Sequence, residues 1–387
     1  MGQPVPPGNH IYEFKSGSGL ASKKIINVGI LFGGKSAEHE VSLQSAKNII
    51  QAIDREKYHP VLIGIDKTGR WLVHDEANYL LHADNPKLIK LNQSSRHVAL
   101  VPQNEGKLTS LNGDEQLGSI DVIFPVLHGP YGEDGALQGL LKMADIPFVG
   151  AGVLGSAVGM DKEVMKRLLR DAHIPIAKFI PLRFNEIVPD YSGVSAVLGK
   201  PFFVKPANLG SSVGVNKVHS ASEYQQAVNR AFEYDNKILI EENIKGREIE
   251  CSVLGNDDPV ASLPGEIIPH HEFYSYDAKY IDEQGAALEI PARLADDVIA
   301  GIQKHSIAVF RTLSCEGMAR VDFFLRGDSE IIVNEINTIP GFTSISMYPR
   351  LWDASGIPYV ELIDRLIQLA IERFKQERRI KTAYDAD

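Results

Sequence analysis

The chain has 387 residues, too many for one ordinary domain, so two or three are expected. Its 44% apolar and 23% charged residues match a soluble globular protein. A formal charge of −10 argues against nucleic acid as the main partner. No apolar run reaches the roughly 18 residues needed to cross a membrane, and no leader pattern opens the chain.

Residues 1–23 are rich in Gly, Pro and Ser and show no period, so they read as a flexible tail or expression remnant. The run IINVGILF from Ile25 predicts a strand, followed by Gly33-Gly34 and a helix over about Glu38 to Ile53. With the strand PVLIGID this makes a βαβ unit and implies a parallel sheet. Residues 88–118 read as a small hairpin excursion. The apolar run VIFPVLH then leads into a Gly-rich loop, and PFVG closes the first domain near Gly150.

Asp161 is a natural N-cap for the next helix, whose Val164, Met165, Leu168, Leu169 and Ala172 form one apolar stripe. From Pro201 the strands PFFVKPA, VGVNKV, KILIEEN, REIECSVLG and PVASLPGEII suggest one antiparallel sheet with two helices. A further lobe holds a hairpin and a last amphipathic helix, about Tyr359 to Phe374. Cys251 and Cys315 read as small buried residues in a reducing compartment, and a cytoplasmic location fits best.

The hairpin RVDFFLRGDSEIIVNEIN, Arg320 to Asn337, carries the sharpest chemistry. Side chains alternate along a strand, so Glu335 and Asn337 face one way, with Asp322 roughly opposite on the partner strand. Three oxygen donors on rigid backbone suit Mg²⁺, which shares its shell with nucleotide phosphates. Taken alone, the same residues would describe a solvated hairpin.

KPANLGSSVGV is the better phosphate cradle. Gly210, Ser211, Ser212 and Gly214 let backbone N–H groups close over oxygens, and Lys205 supplies a point charge. A formal Walker A match, Gly29 to Ser36, reads instead as the end of an apolar strand. Lys162 starts a helix, and Glu241, Glu242 and Glu248 follow a strand that can face a ribose; each is otherwise an ordinary surface charge. In VLHGPYGEDGALQG, His128 ends a parallel strand, where α/β sheets bind ligands, and Glu133-Asp134 can cap the next helix. Glu38 stands where the first strand meets its helix and could hold an ammonium.

Eight segments occur together: GGKSAEHEVSL, HGPYGEDGALQG, MDK, FVKPANLGSSVGV, LIEENIKGREIE, YDAKYID, GMARVDFFL and NEINTIPGFTSISMYP. In this order they resemble the D-alanine–D-alanine ligase family of the ATP-grasp superfamily, over about residues 25–375. The resemblance implies an α/β and α+β ATP-grasp fold of three lobes: a parallel-sheet substrate domain over 24–149, a central lobe over 150–244, and a C-terminal lobe with the metal site over 245–375, then a tail over 376–387. It implies ATP and two D-alanines as substrates, an acyl phosphate, two Mg²⁺ ions (Mn²⁺ as a substitute) and a homodimer.

By the same resemblance, Asp322, Glu335 and Asn337 hold the metals. Lys162, Lys205 and Lys279 neutralise phosphate, and Ser212, Glu241, Ile244, Glu248 and Phe324 line the nucleotide site. Arg320 and the Gly341 N–H bind the oxyanion. Glu38 takes the first ammonium, linked through Ser211 to Tyr280, and His128 lies near the first carboxylate. Ser346 and Met347 receive the second carboxylate. The stretch from about 270 to 285 would close over the site, and Tyr280 favours an amine over D-lactate as nucleophile. The competing readings are a D-alanine–D-lactate ligase, a P-loop switch built on Gly29 to Ser36, and a non-catalytic nucleotide-binding module.

Overall fold

The computed structural model describes residues 24–102, 106–111, 113, 118–269 and 286–381. The first sheet is built from β1 (Ile26–Gly33), β2 (Tyr58–Ile65), β3 (Trp71–His74) and β8 (Val122–Val126), in the order β3-β2-β1-β8. β1 runs parallel to both β2 and β8, as a βαβ unit requires, with α1 (His39–Ala52) as the crossover. Two short ladders interrupt it: β4 (Leu80–Leu81) with β5 (Lys90–Leu91), and β6 (Val98–Leu100) with β7 (Leu108–Ser110). After β8 come α2 (Ala136–Met143), α3 (Val153–Met160) and α4 (Lys162–Asp171).

A second sheet, order β11-β10-β12-β9, is wholly antiparallel. Its strands are β9 (Phe179–Arg183), β10 (Phe202–Pro206), β11 (Asn216–Val218) and β12 (Lys237–Glu242), with α5 (Tyr191–Leu198) and α6 (Ala221–Phe232) packed on it. It has its own core, including Leu182, Phe202, Val204, Val228 and Ile240.

The third sheet joins β13 (Arg247–Gly255), β14 (Val260–Ala261), β15 (Gly265–Pro269), β16 (Ala286–Glu289), β17 (Gly317–Arg326) and β18 (Glu330–Asn337). REIECSVLG and the strands after it therefore leave the sheet that the bare pattern gave them to. β13 pairs along its whole length with β17, from Arg247↔Leu325 to Gly255↔Gly317. The helices of this part are α7 (Asp296–Thr312), α8 (Met347–Ala354) and α9 (Tyr359–Glu377). Among the described residues no helix is long and apolar enough to cross a membrane. Both cysteines are buried free thiols, and burial pushes Cys251 up to about 11 and Cys315 up to about 12.

One core runs without a break from the first sheet into the C-terminal helices. It includes Val28, Phe32 and Phe124, then Phe342 and Trp352, then Leu362 and Leu366. Phe124 and Phe342 meet edge to face, 5.7 Å between ring centres.

Asp161 caps α4, accepting from the Glu163 and Val164 N–H groups at 3.1 Å. The expected stripe is wrong in part. Leu168 and Ala172 are exposed, and the buried residues are Lys162, Glu163, Met165, Lys166 and Leu169. The helix lies over a polar cleft, so two lysines point inward with the apolar pair. The expected capping role of Glu133 also fails: Asp134 accepts the Ala136 N–H at 3.0 Å, while Glu133 turns toward residue 339.

Candidate active site

The β17–β18 hairpin places Arg320 opposite Asn337 and Asp322 opposite Glu335, and the register then shifts by a bulge between Asp322 and Phe323. Opposed residues of an antiparallel pair share a face, so the four polar side chains form one cluster. Arg320 grips Asp322 with a two-point fork, Nε to Oδ1 at 2.7 Å and Nη2 to Oδ2 at 2.8 Å. Its Nε also lies 2.8 Å from Glu250, which is buried on neighbouring β13. Asn337 Nδ2 donates to Asp322 Oδ2 at 3.0 Å. Sequence reading missed Glu250. The available signal was its i, i+2 spacing from Glu248, which puts both acids on one face of β13.

Lys162 reaches this cluster from α4. Its Nζ lies 3.4 Å from Glu335 and donates to the Leu209 carbonyl at 2.8 Å, tying the hairpin to the 210–215 loop. That loop turns through two non-glycine residues at positive φ, Ser211 at 51° and Ser212 at 60°. Ser211 Oγ donates to Glu38 Oε1, across from the first sheet. Glu38 is buried and sits at the N-terminal boundary of α1. The Glu38–Ser211 half of the expected chain is thus joined. Tyr280 and Lys279 lie outside the described residues.

The nucleotide-side candidates gather under the same helix. Lys205 Nζ donates to Glu241 Oε1 at 2.8 Å, and Lys166 Nζ stands 3.0 Å from the other oxygen. All three are buried, Lys166 completely. Burial depresses the Lys166 ammonium. Burial alone would raise Glu241, but Lys166 and Lys205 together hold it below the usual carboxylate range. Lys166 was not foreseen, because a lone helical lysine is normally exposed. Ile244 packs with Ala177, Ile332 and Phe324 in a small apolar patch. Glu248 is paired in register with Phe324, so the patch and the acid adjoin.

On the substrate side, Glu38, His128, Glu133, Arg320, Asn337, Ile339, Pro340 and Gly341 line one narrow cleft. His128 is buried, and burial lowers its imidazole below the ordinary value. Glu133 is pushed up to about 8, chiefly by burial and then by the nearby Glu38 charge. Ser346 Oγ lies 2.7 Å from Thr343 Oγ1 and accepts the Thr343 N–H at 3.0 Å. Met347 opens α8, where first-turn N–H groups lack helical partners and favour a carboxylate. A Cβ on Gly341 would sit 2.7 Å from Ser346 Oγ, so a larger residue here would push that hydroxyl aside. A roomier cleft, about 640 Å³, is lined by residues such as His39, Lys67, Arg70 and Lys90 and contains none of the candidates. Gly29 to Gly33 lie within β1, so the Walker-like stretch forms no loop there.

Two family descriptions match: D-ala D-ala ligase N-terminus over residues 27–151 and D-ala D-ala ligase C-terminus over 168–368. The chain belongs to the D-alanine–D-alanine ligase family. It is 55% identical to D-alanine–D-alanine ligase A of Escherichia coli (strain K12), over 92% of this chain and 99% of that protein. Among solved structures, the D-alanine–D-alanine ligase of Coxiella burnetii superposes with a TM-score of 0.79 at 39% identity, covering 92% of this chain and 96% of the other. The VanG D-Ala:D-Ser ligase of Enterococcus faecalis gives 0.78 at 34%, covering 90% and 100%. The fold is accordingly the ATP-grasp arrangement of this family, with the polar cluster between the second and third sheets.

Proposed function

We propose that this protein joins two molecules of D-alanine into D-alanyl-D-alanine at the expense of ATP, as a cytoplasmic, homodimeric enzyme of peptidoglycan precursor synthesis. The relatives' shared activity and the family match over nearly the whole fold support this reading. The observation that carries it is the convergence of Lys162, Arg320, Asp322, Glu335 and Asn337 at one end of the cleft with Glu38 and Ser211 at the other. One end suits phosphates; the other suits an amino acid's ammonium. The proposed domains span 24–149, 150–244 and 245–375, and the division of the strands into three main sheets supports them.

The γ-phosphoryl group of ATP passes to the carboxylate of the first D-alanine, and ADP leaves. The amine of the second D-alanine attacks the acyl carbon, loses its proton, and phosphate departs. Repulsion between carboxylate and phosphate dominates the first barrier, so lysines at the transferring group lower it. Lys162 and Lys205 fill that role, with Lys279 as a third. Adenine packs on the patch of Ile244 and Phe324, with Glu241 and Glu248 near base and ribose and Ser212 in the phosphate loop.

Glu38 holds the first ammonium, His128 lies by the first carboxylate, and Tyr280 completes the chain through Ser211. Arg320 and the Gly341 N–H stabilise the oxyanion, while Ser346 Oγ and the Met347 N–H bind the second carboxylate. Asp322, Glu335 and Asn337 form an all-oxygen donor set of the kind hard cations prefer, so they fit one or two Mg²⁺, or Mn²⁺. Such ions would neutralise phosphate charge during transfer. Leu140 and Met143 on α2 and Leu154 on α3 are exposed apolar residues that a second copy would cover in this reading.

The deciding experiment measures ADP release with D-alanine, L-alanine, D-serine and D-lactate side by side, with product analysis. D-alanine alone should support full turnover and give the dipeptide. Depsipeptide as the main product would favour the D-lactate reading, and no D-alanine-dependent ADP release would refute ligation.

A further inference from the structure

Residues 338–343 leave β18 and cross the cleft outside any strand ladder. What holds this segment comes largely from the N-terminal part of the chain. The Ile339 N–H donates to Glu133 Oε1 at 3.1 Å, and the Ile339 carbonyl accepts from His128 Nδ1 at 3.0 Å. The Phe342 N–H donates to Ser45 Oγ at 3.1 Å, and the Phe342 carbonyl accepts from Asn48 Nδ2 at 3.1 Å, with Tyr359 of α9 adding a bond at 2.9 Å. Both polar groups of the residues bracketing Pro340-Gly341 are thus taken by side chains from far away in sequence.

The gripping side chains are themselves linked. The second oxygen of Glu133 accepts the Gly129 N–H at 2.7 Å, which fixes the loop carrying His128. Ser45 Oγ lies 3.4 Å from His128 Nε2. Ser45 and His128 are buried, so these bonds have little competition from water. Each of the two Glu133 carboxyl oxygens accepts one N–H; an amide would turn a donor against one of them.

We infer that Glu133, His128, Ser45 and Asn48 are positioning residues that aim the Gly341 N–H, so that the N-terminal domain sets the oxyanion donor carried by the C-terminal lobe. The inference rests on Gly341 being that donor. An oxyanion donor contributes only when its direction is fixed before reaction, and a peptide plane is fixed by its neighbours' hydrogen bonds. Pro340 brings no N–H of its own, and the hydrogen bonds that hold this stretch fall on its flanks, at Ile339 and Phe342.

The test uses Glu133→Gln and Asn48→Ala in the full chain. Each should speed amide exchange in a peptide spanning 338–345 about tenfold or more. Each should lower kcat about tenfold to a hundredfold and leave KM for ATP within about twofold. Affinity for a dipeptide analogue bearing a tetrahedral phosphinate should fall in parallel with kcat, whereas affinity for ADP should not. The double variant should lose less than the product of the single losses, because both act through one backbone segment. Unchanged exchange in both variants would overturn the clamp. Faster exchange with unaltered kcat and phosphinate affinity would instead remove Gly341 as the donor. A loss falling equally on KM for ATP would mark general loosening and also overturn the inference. Asn48 is only half-buried, so its variant keeps the test available if Glu133→Gln fails to fold.

Discussion

Lys166 is the residue whose environment departs furthest from expectation. A fully buried ammonium is costly unless paired, and its partner Glu241 is already bonded to Lys205. The cluster therefore carries a net charge of about +1 in the interior, beside the loop proposed to hold phosphate. A nucleotide anion would relieve that imbalance. Replacing Lys166 with Met leaves Glu241 and Lys205 as a neutral pair and removes the attraction. KM for ATP should then rise about tenfold, equivalent to about 1.4 kcal/mol, with a smaller change in kcat. Because Glu241 keeps a partner, apo stability should not fall by the ~3–5 kcal/mol typical of an orphaned buried charge. Steady-state kinetics and thermal unfolding check the two halves. An unchanged KM would reduce Lys166 to packing. At this scale, residues with motif company were legible in the sequence, as Lys205 was beside its Gly-Ser loop. Lys166, Glu250 and Glu133 were not, since each depends on a partner dozens or hundreds of positions away.

The β17–β18 hairpin is the element on which the proposed chemistry turns, and its existence and facing were readable from alternation alone. Its bulge was not. The register passes from Asp322↔Glu335 to Phe323↔Val333, leaving Asn334 as the extra residue. The bulge keeps Asp322, Glu335 and Asn337 in one cluster while Phe323 still enters the core. α4 went partly astray for a related reason: its inward face serves a polar cleft, so apolar periodicity no longer marks burial. The hairpin gives a direct test. Glu335→Ala and Asn337→Ala should each lower kcat by about a hundredfold or more, about 2.7 kcal/mol, because the transferring phosphate would lose the proposed metal clamp. Both side chains are only partly buried, so thermal stability should change little. Wild-type ADP release by either variant would remove the metal role.

At the scale of the whole molecule, the distribution of cores predicts which part moves. The first sheet and the C-terminal helices share a continuous apolar core, through Phe124, Phe342 and Trp352. Arg373 of α9 reinforces that union by donating to the Phe148 and Gly150 carbonyls. The sheet of β9 to β12 has a separate core. Its links to the rest are mostly polar: Ser211 to Glu38, Lys162 Nζ to the Leu209 carbonyl, the Lys162 N–H to the Ala207 carbonyl at 3.0 Å, Lys237 to Asp161 and Glu163, Lys166 to Glu241 at 3.0 Å, and Arg326 to Glu242 at 2.9 Å. Lobes joined by small polar contacts move by default, whereas a shared core does not. Urea unfolding should therefore show two transitions, the earlier one belonging to residues 179–242. A non-hydrolysable ATP analogue at a hundred times its Kd should stabilise that lobe by about 2.7 kcal/mol, moving the first midpoint toward the second. Exchange measured peptide by peptide would assign the transitions. One coincident transition for all segments, unmoved by nucleotide, would mean that the second sheet is locked to the others and that ATP enters without a lobe opening.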